Sequence, residues 1–377
     1  MTDKIFRFLA EEQPPTPCVV VDLERVARNF ASMRAAFPRT RIFYAVKANP
    51  APQILKLLQS AGSYFDAASI EEIELCLRAG ARPDQISFGN TIKKASAIAR
   101  AYAAGVRLFV FDCAEELAKI AVHAPGSLVF CRIAVGTDGA VFPLAKKFGT
   151  SPAMAAELLC QAARLGLVPY GVSFHVGSQQ IGPEAYEAAI GEAASVFALA
   201  AQAGIALRML NLGGGFPARY QDEVCGIGDF AHGVDRALER HFGGELPETL
   251  VEPGRFLVGD AGVVSTEVVL VSRRGSSSTL PRWVYLDIGR FGGLSETEGE
   301  ATRYVFRTPH DATVDGPVII AGPTCDSADT LYERSGYRMP LALSAGDRIE
   351  ILATGAYVTS YATIGFNGFP PMAEYYI

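Results

Sequence analysis

Between residues 41 and 258 short apolar runs alternate with longer stretches whose apolar residues recur at helical spacing. The runs are RIFYAVKA (41–48), SYFDAAS (63–69), QISFGN (85–90), RLFVFDC (107–113), SLVFCRIA (127–134), YGVSFHVGS (170–178), MLNLGGGF (209–216) and TLVEPGRFLV (249–258). Their β-branched and aromatic content reads as strand. Stretches between them, such as SIEEIELCLRAG and IKKASAIARAYAAG, often end in glycine, the residue preferred just past a helix C-terminus. Eight β–α units in one span predict a closed parallel (β/α)8 barrel over residues 23–260. From about residue 261 the texture changes: EVVLVSRR, RWVYLDIG, GPVIIAGPT and GDRIEILATGAYV are β-rich and separated by Gly, Pro and Ser turns. They predict a separate β domain over 261–377, with 1–22 joining it through the run PTPCVVVDL.

The polar residues are unevenly placed on this frame. Lys47, Asp66, Asn90, Asp112, Arg132, His175, Gly213 to Gly215 and Glu252 all fall toward the C-terminal ends of their runs. In a (β/α)8 barrel that end carries the active site. Lys47 stands out, because read as a strand its segment projects the ammonium from a buried strand end. Burial would lower its pKa and make the amine a nucleophile toward carbonyl groups. The alternative is a lysine snorkelling to water.

Composition narrows the class. Of 377 residues, 49% are hydrophobic and 20% charged, which marks a globular chain long enough for two domains. A net charge of -6 argues against a nucleic-acid surface, and no run reaches the length of a membrane span. Seven scattered cysteines and no signal-peptide pattern point to reduced thiols in the cytoplasm. Without CxxC, HExxH or a His/Asp cluster, no metal is expected.

Four constellations carry chemistry. LNLGGGFP frees backbone N–H groups for an anion such as phosphate, to which Ser178 and Arg255 would add a hydroxyl and a charge. Glu252, in VEPGR, would keep a heterocyclic nitrogen protonated, unless it simply pairs with Arg255. His175 suits stacking on a flat ring better than metal ligation, though a satisfied core histidine is the usual alternative. In GPTCDSAD, Cys325 and Asp326 put a proton donor beside an acceptor for a cation; a hydrogen-bonded turn would use the same residues.

Taken together, YAVKANP, FDAAS with EEIEL, GVSFHVGSQ, LNLGGGFP, VEPGRFLV, GPTCDSAD and GAYVTSYATIGFNGF resemble, in order and over nearly the whole chain, the fold-type III pyridoxal-phosphate-dependent decarboxylases of ornithine, arginine and diaminopimelate. Within that family the chain is most similar to bacterial ornithine decarboxylases. The resemblance implies a TIM barrel of the alanine-racemase type with a C-terminal β-sandwich or β-barrel domain. It implies that Lys47 binds the cofactor covalently, Glu252 pairs with the ring nitrogen and His175 stacks on the ring. Ser178, Gly213, Gly214, Gly215, Gly254, Arg255 and Tyr357 would surround the phosphate. Asp66 would sit near Lys47, Arg132 near the phenolic side, and Glu72 would support the site.

The family pattern further implies that Cys325 protonates the carbanion and Asp326 binds the distal ammonium. Phe366 would wall the carboxylate, and Glu296, Glu298 or Glu300 would supply a second acceptor. It implies a homodimer with shared sites, Lys147 and Asp329 pairing across the interface. The expected reaction is decarboxylation of L-ornithine to putrescine, in polyamine biosynthesis. Lysine or dual specificity and a related diamino acid are the enzymatic alternatives; a non-catalytic binding homologue is disfavoured by Lys47, Asp66, Glu252, Cys325 and Asp326.

Overall fold

The computed structural model describes residues 3–143, 147–275 and 280–377. The chain forms two compact units: residues 27–217 with 224–256, and residues 1–26 with 218–223 and 257–377.

The first unit is the eight-stranded parallel barrel. Its strands are Thr40–Ala45, Tyr64–Ala67, Ile86–Phe88, Leu108–Phe111, Leu128–Arg132, Val168–Ser173, Met209–Asn211 and Glu248–Val251, and the eighth closes on the first. Phe43, Val110, Phe130, Met209 and Leu250 fill a buried cluster, drawn from five different strands. Side chains thus occupy the barrel interior, so chemistry is confined to its rim.

The strands are shorter than their apolar runs. The first ends at Ala45, and Lys47 lies on a 3₁₀ turn, Val46–Ala48, with its side chain exposed rather than at a buried strand end. The eighth ends at Val251, and Arg255–Val258 turns helical where the sequence pattern predicted strand. His175 likewise follows its strand instead of lying within it. A two-stranded ribbon, Ala140–Phe142 with Ser178–Gln180, was not anticipated.

The second unit is a nine-stranded, largely antiparallel sheet. Gly262–Arg273 is its longest strand, pairing with Cys18–Val21, Arg282–Leu286 and Arg348–Leu352. Cys18–Val21 also pairs in parallel with Ala373–Tyr376. A helix missing from the sequence reading, Asp3–Glu12, buries Ile5 and Leu9 against Cys18, Val20 and Val263.

Candidate active site

The barrel rim gathers its polar residues because they lie at, next to or just beyond the C-terminal ends of the strands. Asp66 lies inside the second strand and Arg132 ends the fifth. Lys47, His175, Gly213 and Glu252 sit one to two residues beyond the ends of the first, sixth, seventh and eighth strands.

Glu252 is oriented by an asparagine the sequence reading passed over. Asn211 donates its side-chain N–H to Glu252 Oε1, while its own Oδ1 accepts the Gly213 N–H at 2.8 Å. The Glu252 N–H in turn donates to the Gly213 carbonyl at 2.8 Å. Burial raises the Glu252 pKa, opposed by the Asn211 hydrogen bond and by the charges of Lys47 and Arg132. Asp66 is held well above the ordinary carboxylate range, first by burial and then by Glu252, against Lys47 and Arg132. Its Oδ1 is buried with no hydrogen-bond partner among the described residues. It lies against Gly89, where a methyl group would come within 1.6 Å of it.

Two desolvated carboxylates thus lie within the influence of two cations, Lys47 and Arg132. Burial lowers the Arg132 pKa, offset by Glu252, Asp112 and Asp66. Glu72 accepts the Ala68 N–H at 2.7 Å, just after the Asp66 strand, and its N–H donates to the helix-capping Ser69 Oγ at 3.2 Å. It therefore fixes the backbone that presents Asp66.

His175 keeps part of its surface open, but desolvation, Arg132 and Lys47 hold its pKa well below the usual imidazole value. Its Nδ1 accepts the Gly177 N–H at 3.0 Å, so the neutral ring carries its proton on Nε2. Gly214 packs beside it: a methyl there would lie 3.4 Å from His175 Nε2 and 2.6 Å from the Glu252 carbonyl oxygen. Gly213 and Gly215 have φ of 68° and 112°, and a methyl on either would press on the Phe174 or Gly177 carbonyl. The glycine run is therefore dictated by close packing as well as by backbone conformation.

Beside the run, the buried Arg255 donates to Ser178 Oγ at 3.1 Å, with its guanidinium 5.5 Å from the Phe142 ring centroid. Gly254 is buried next to it.

The remaining sequence candidates lie in the second unit. Cys325 and Asp326 are exposed at a loop tip, where the Cys325 N–H donates to Asn367 Oδ1 at 3.0 Å and Asp326 Oδ1 accepts the Ala328 N–H at 2.8 Å. Phe366 packs against Phe291 with the rings tilted by 38° and centroids 4.6 Å apart. Glu296 is buried and Glu298 exposed. Glu300 accepts the Glu333 and Arg334 N–H groups at 2.8 and 2.6 Å; its burial would raise its pKa, but these bonds outweigh that and lower it. Tyr357 adopts a left-handed φ of 56°. Lys147, on the barrel unit, lies 5.0 Å from the Phe148 ring centroid.

Residues 23–259 match the family model described as the pyridoxal-dependent decarboxylase, pyridoxal binding domain. A lysine/ornithine decarboxylase of Selenomonas ruminantium is 35% identical over 98% of this chain and 91% of its own length. The structure of SrLDC in complex with PLP and cadaverine superposes with a TM-score of 0.88 at 33% identity, covering 100% of this chain and 93% of that one. A lysine/ornithine decarboxylase of Vibrio vulnificus complexed with putrescine superposes at 0.87 with 30% identity, covering 99% and 97%.

The rim suits pyridoxal phosphate. A buried arginine, a serine hydroxyl and a tight glycine run can take the phosphate, and the desolvated carboxylate of Glu252, oriented by Asn211, can take a protonated ring nitrogen. With this rim, these relatives and this domain match, the chain belongs to the fold-type III pyridoxal-dependent decarboxylases, carboxy-lyases that use pyridoxal phosphate to act on basic amino acids.

Proposed function

We propose that the chain converts L-ornithine to putrescine and carbon dioxide, a step of polyamine biosynthesis, as a cytoplasmic homodimer. Its seven cysteines are all free, which supports a reducing compartment. None of the helices among the described residues is long and apolar enough to cross a membrane. The observation that carries the substrate class is the loop placing the exposed thiol of Cys325 next to the exposed carboxylate of Asp326. A proton donor adjacent to an anionic acceptor suits a substrate with a distal ammonium group.

Pyridoxal phosphate, when bound, supplies an electron sink for the carbanion left by loss of carbon dioxide. The protein does the rest. Lys47 would hold the cofactor covalently through its side-chain amine. Glu252, aimed by Asn211, keeps a proton on the ring nitrogen; its own raised proton affinity makes a neighbouring cation welcome. The neutral His175 supports one ring face without adding positive charge that would compete with that proton.

Ser178, Arg255 and the glycine run anchor the phosphate, with Gly254 and Tyr357 completing its shell in this reading. Anchoring at both ends fixes the ring plane, so the substrate's bond to its carboxylate can be held perpendicular to it. Phe366 keeps water from the carboxylate. Cys325 then protonates Cα, while Asp326 and Glu296 receive the distal ammonium. Following the family pattern, Cys325 and Asp326 serve the partner's barrel, with Lys147 at the interface.

A second reading, dual lysine and ornithine activity, is favoured by the Selenomonas relative, a lysine/ornithine decarboxylase. One methylene changes discrimination by only about 1–3 kcal/mol. Carbon dioxide release from ornithine, lysine, arginine and diaminopimelate, measured side by side, tests both. The highest kcat/KM is expected for ornithine. Lysine within tenfold favours the dual reading, and no release from any of them refutes the assignment.

A further inference from the structure

We propose that Tyr186 is a positioning residue for the phosphate site: its hydroxyl fixes the Gly214 carbonyl and so turns the amides of the glycine run toward an anion. The inference rests on the reading of Gly213 to Gly215 as the phosphate anchor. It adds a residue from the helix Glu184–Gln202, outside every motif of the rim.

All three carbonyls of the run are held. The Gly213 carbonyl accepts the Glu252 N–H at 2.8 Å, the Gly214 carbonyl accepts the Tyr186 hydroxyl at 2.8 Å, and the Gly215 carbonyl accepts the Gln180 N–H at 2.9 Å. Two of these donors are main chain and belong to any sequence with this backbone. Tyr186 alone of the three donates from a side chain, so its bond is the one that residue choice controls.

A trans peptide points its C=O and N–H in opposite directions. Holding the Gly213, Gly214 and Gly215 carbonyls therefore turns the N–H groups of Gly214, Gly215 and Phe216 away from those donors. Among the described residues these three N–H groups donate to no protein acceptor, whereas the Gly213 N–H is taken by Asn211. Gly214 and Phe216 are buried and Gly215 half-buried. Buried amides without acceptors are rare and call for a ligand. Successive free N–H groups, on a backbone bent by the positive φ of Gly213 and Gly215, suit an anion. Gln180, which holds Gly215, shares the short strand Ser178–Gln180 with the serine that receives Arg255.

The phenol itself is clamped. Tyr186 is fully buried; its ring stacks on Phe216 with centroids 5.3 Å apart and meets Phe174 and Phe230 edge-on at 6.5 and 6.0 Å. Phe174 precedes His175 and Phe216 follows the glycines, so the segments that Tyr186 orders also hold its ring. Burial pushes the hydroxyl pKa well above the usual phenol value, which leaves it a donor. A residue kept for packing alone would need no hydroxyl, because phenylalanine fills the same ring position.

The test compares wild type, Tyr186→Phe and Phe230→Leu as full chains. Each is stripped and titrated by absorbance with pyridoxal phosphate and with pyridoxal, which lacks only the phosphate; phosphorus NMR is recorded on the holoenzymes and Tm on both forms. Tyr186→Phe removes one oxygen and keeps the ring contacts. It is expected to weaken pyridoxal phosphate about tenfold, leave pyridoxal within about twofold, and shift the bound phosphorus resonance. Phe230→Leu loosens the ring cluster without touching the hydroxyl, and should lower Tm while keeping the wild-type preference for the phosphorylated form. With 4-aminophenylalanine in place of Tyr186, a donor stays at the ring tip and the preference should persist, an arm that remains should Tyr186→Phe not fold. Equal losses for both ligands in Tyr186→Phe, the same loss of preference in Phe230→Leu, or loss of preference with the amino analogue overturns the proposal. A wild type that binds pyridoxal as tightly as pyridoxal phosphate removes the phosphate site and the proposal with it. A wild-type preference that Tyr186→Phe leaves unchanged overturns the proposal alone.

Discussion

Asn211 grips Glu252 with its amide nitrogen and the Gly213 N–H with its amide oxygen, so one side chain at the end of the seventh strand orders both the carboxylate and the start of the glycine run. A hydrogen bond to a charged group contributes about 1.5–3 kcal/mol. Asn211→Ala is therefore expected to weaken cofactor affinity by roughly 10- to 100-fold, read by absorbance titration of cofactor-free protein. An affinity within twofold of wild type would remove Asn211 from the site.

The two raised carboxyls make stability depend on pH in protein stripped of its cofactor. Asp66 and Glu252 bind protons more tightly folded than unfolded, because of burial and, for Asp66, of Glu252. Between the ordinary carboxylate range and their raised folded values the folded state carries more protons, so stability falls as pH rises through that window. Glu252→Gln keeps an acceptor for Asn211 and removes one charge. In the stripped protein at pH 7.5, with Tm read by calorimetry, about 1 kcal/mol of relief corresponds to a rise of about 2–4 °C. A lower Tm than wild type would refute mutual destabilisation.

Lys47→Ala should abolish the covalent link. Borohydride reduction of wild type is expected to add the cofactor's mass to the peptide containing Lys47, with no such adduct in the variant. Finding the adduct on another lysine would reassign the anchor.

Lys93 offers a test of packing behind the rim. Its ammonium is fully buried, donates to the Asn90 and Val110 carbonyls at 2.7 and 2.6 Å, and lies 3.1 Å from Glu116, which Lys119 also pairs. Burial brings its pKa down to about 8, against the pull of Glu116. Breaking a buried pair costs about 3–5 kcal/mol; because Lys119 still faces Glu116, Lys93→Met should fall near the lower figure in chemical denaturation. Lys93→Met with Glu116→Leu should recover most of that loss. A double variant no more stable than the single one would show that the carbonyl contacts, not the charge pair, dominate.

The barrel was legible because its strands are continuous apolar runs with the polar residues held at one end, a pattern that survives without any knowledge of contacts. Strand ends were not. Lys47 and Arg255 continue apolar runs, yet the backbone turns at Val46 and again after Pro253, and only tertiary pairing stops the ladder there. The helix Asp3–Glu12 had its signal in the spacing of Ile5 and Leu9, but its charged residues masked it. Asn211 stands in the apolar run before the glycines, where the local pattern marks only strand, since its partners lie 2 and 41 residues away. The Lys93–Glu116 pair is likewise a long-range contact, which no local pattern announces.

Cys18–Val21 lies between Gly262–Ser265 and Ala373–Tyr376, and the Ile377 N–H donates to the Val21 carbonyl at 2.9 Å. Cys18–Val21 is therefore synthesised long before one of the strands it pairs with. The barrel's strands are all synthesised before the sheet can close, so the nascent chain carries an unpaired, wholly apolar Cys-Val-Val-Val edge until Ala373–Tyr376 emerges. Removing the final five residues would leave that edge permanently bare, and aggregation, rather than loss of chemistry, would be the first symptom.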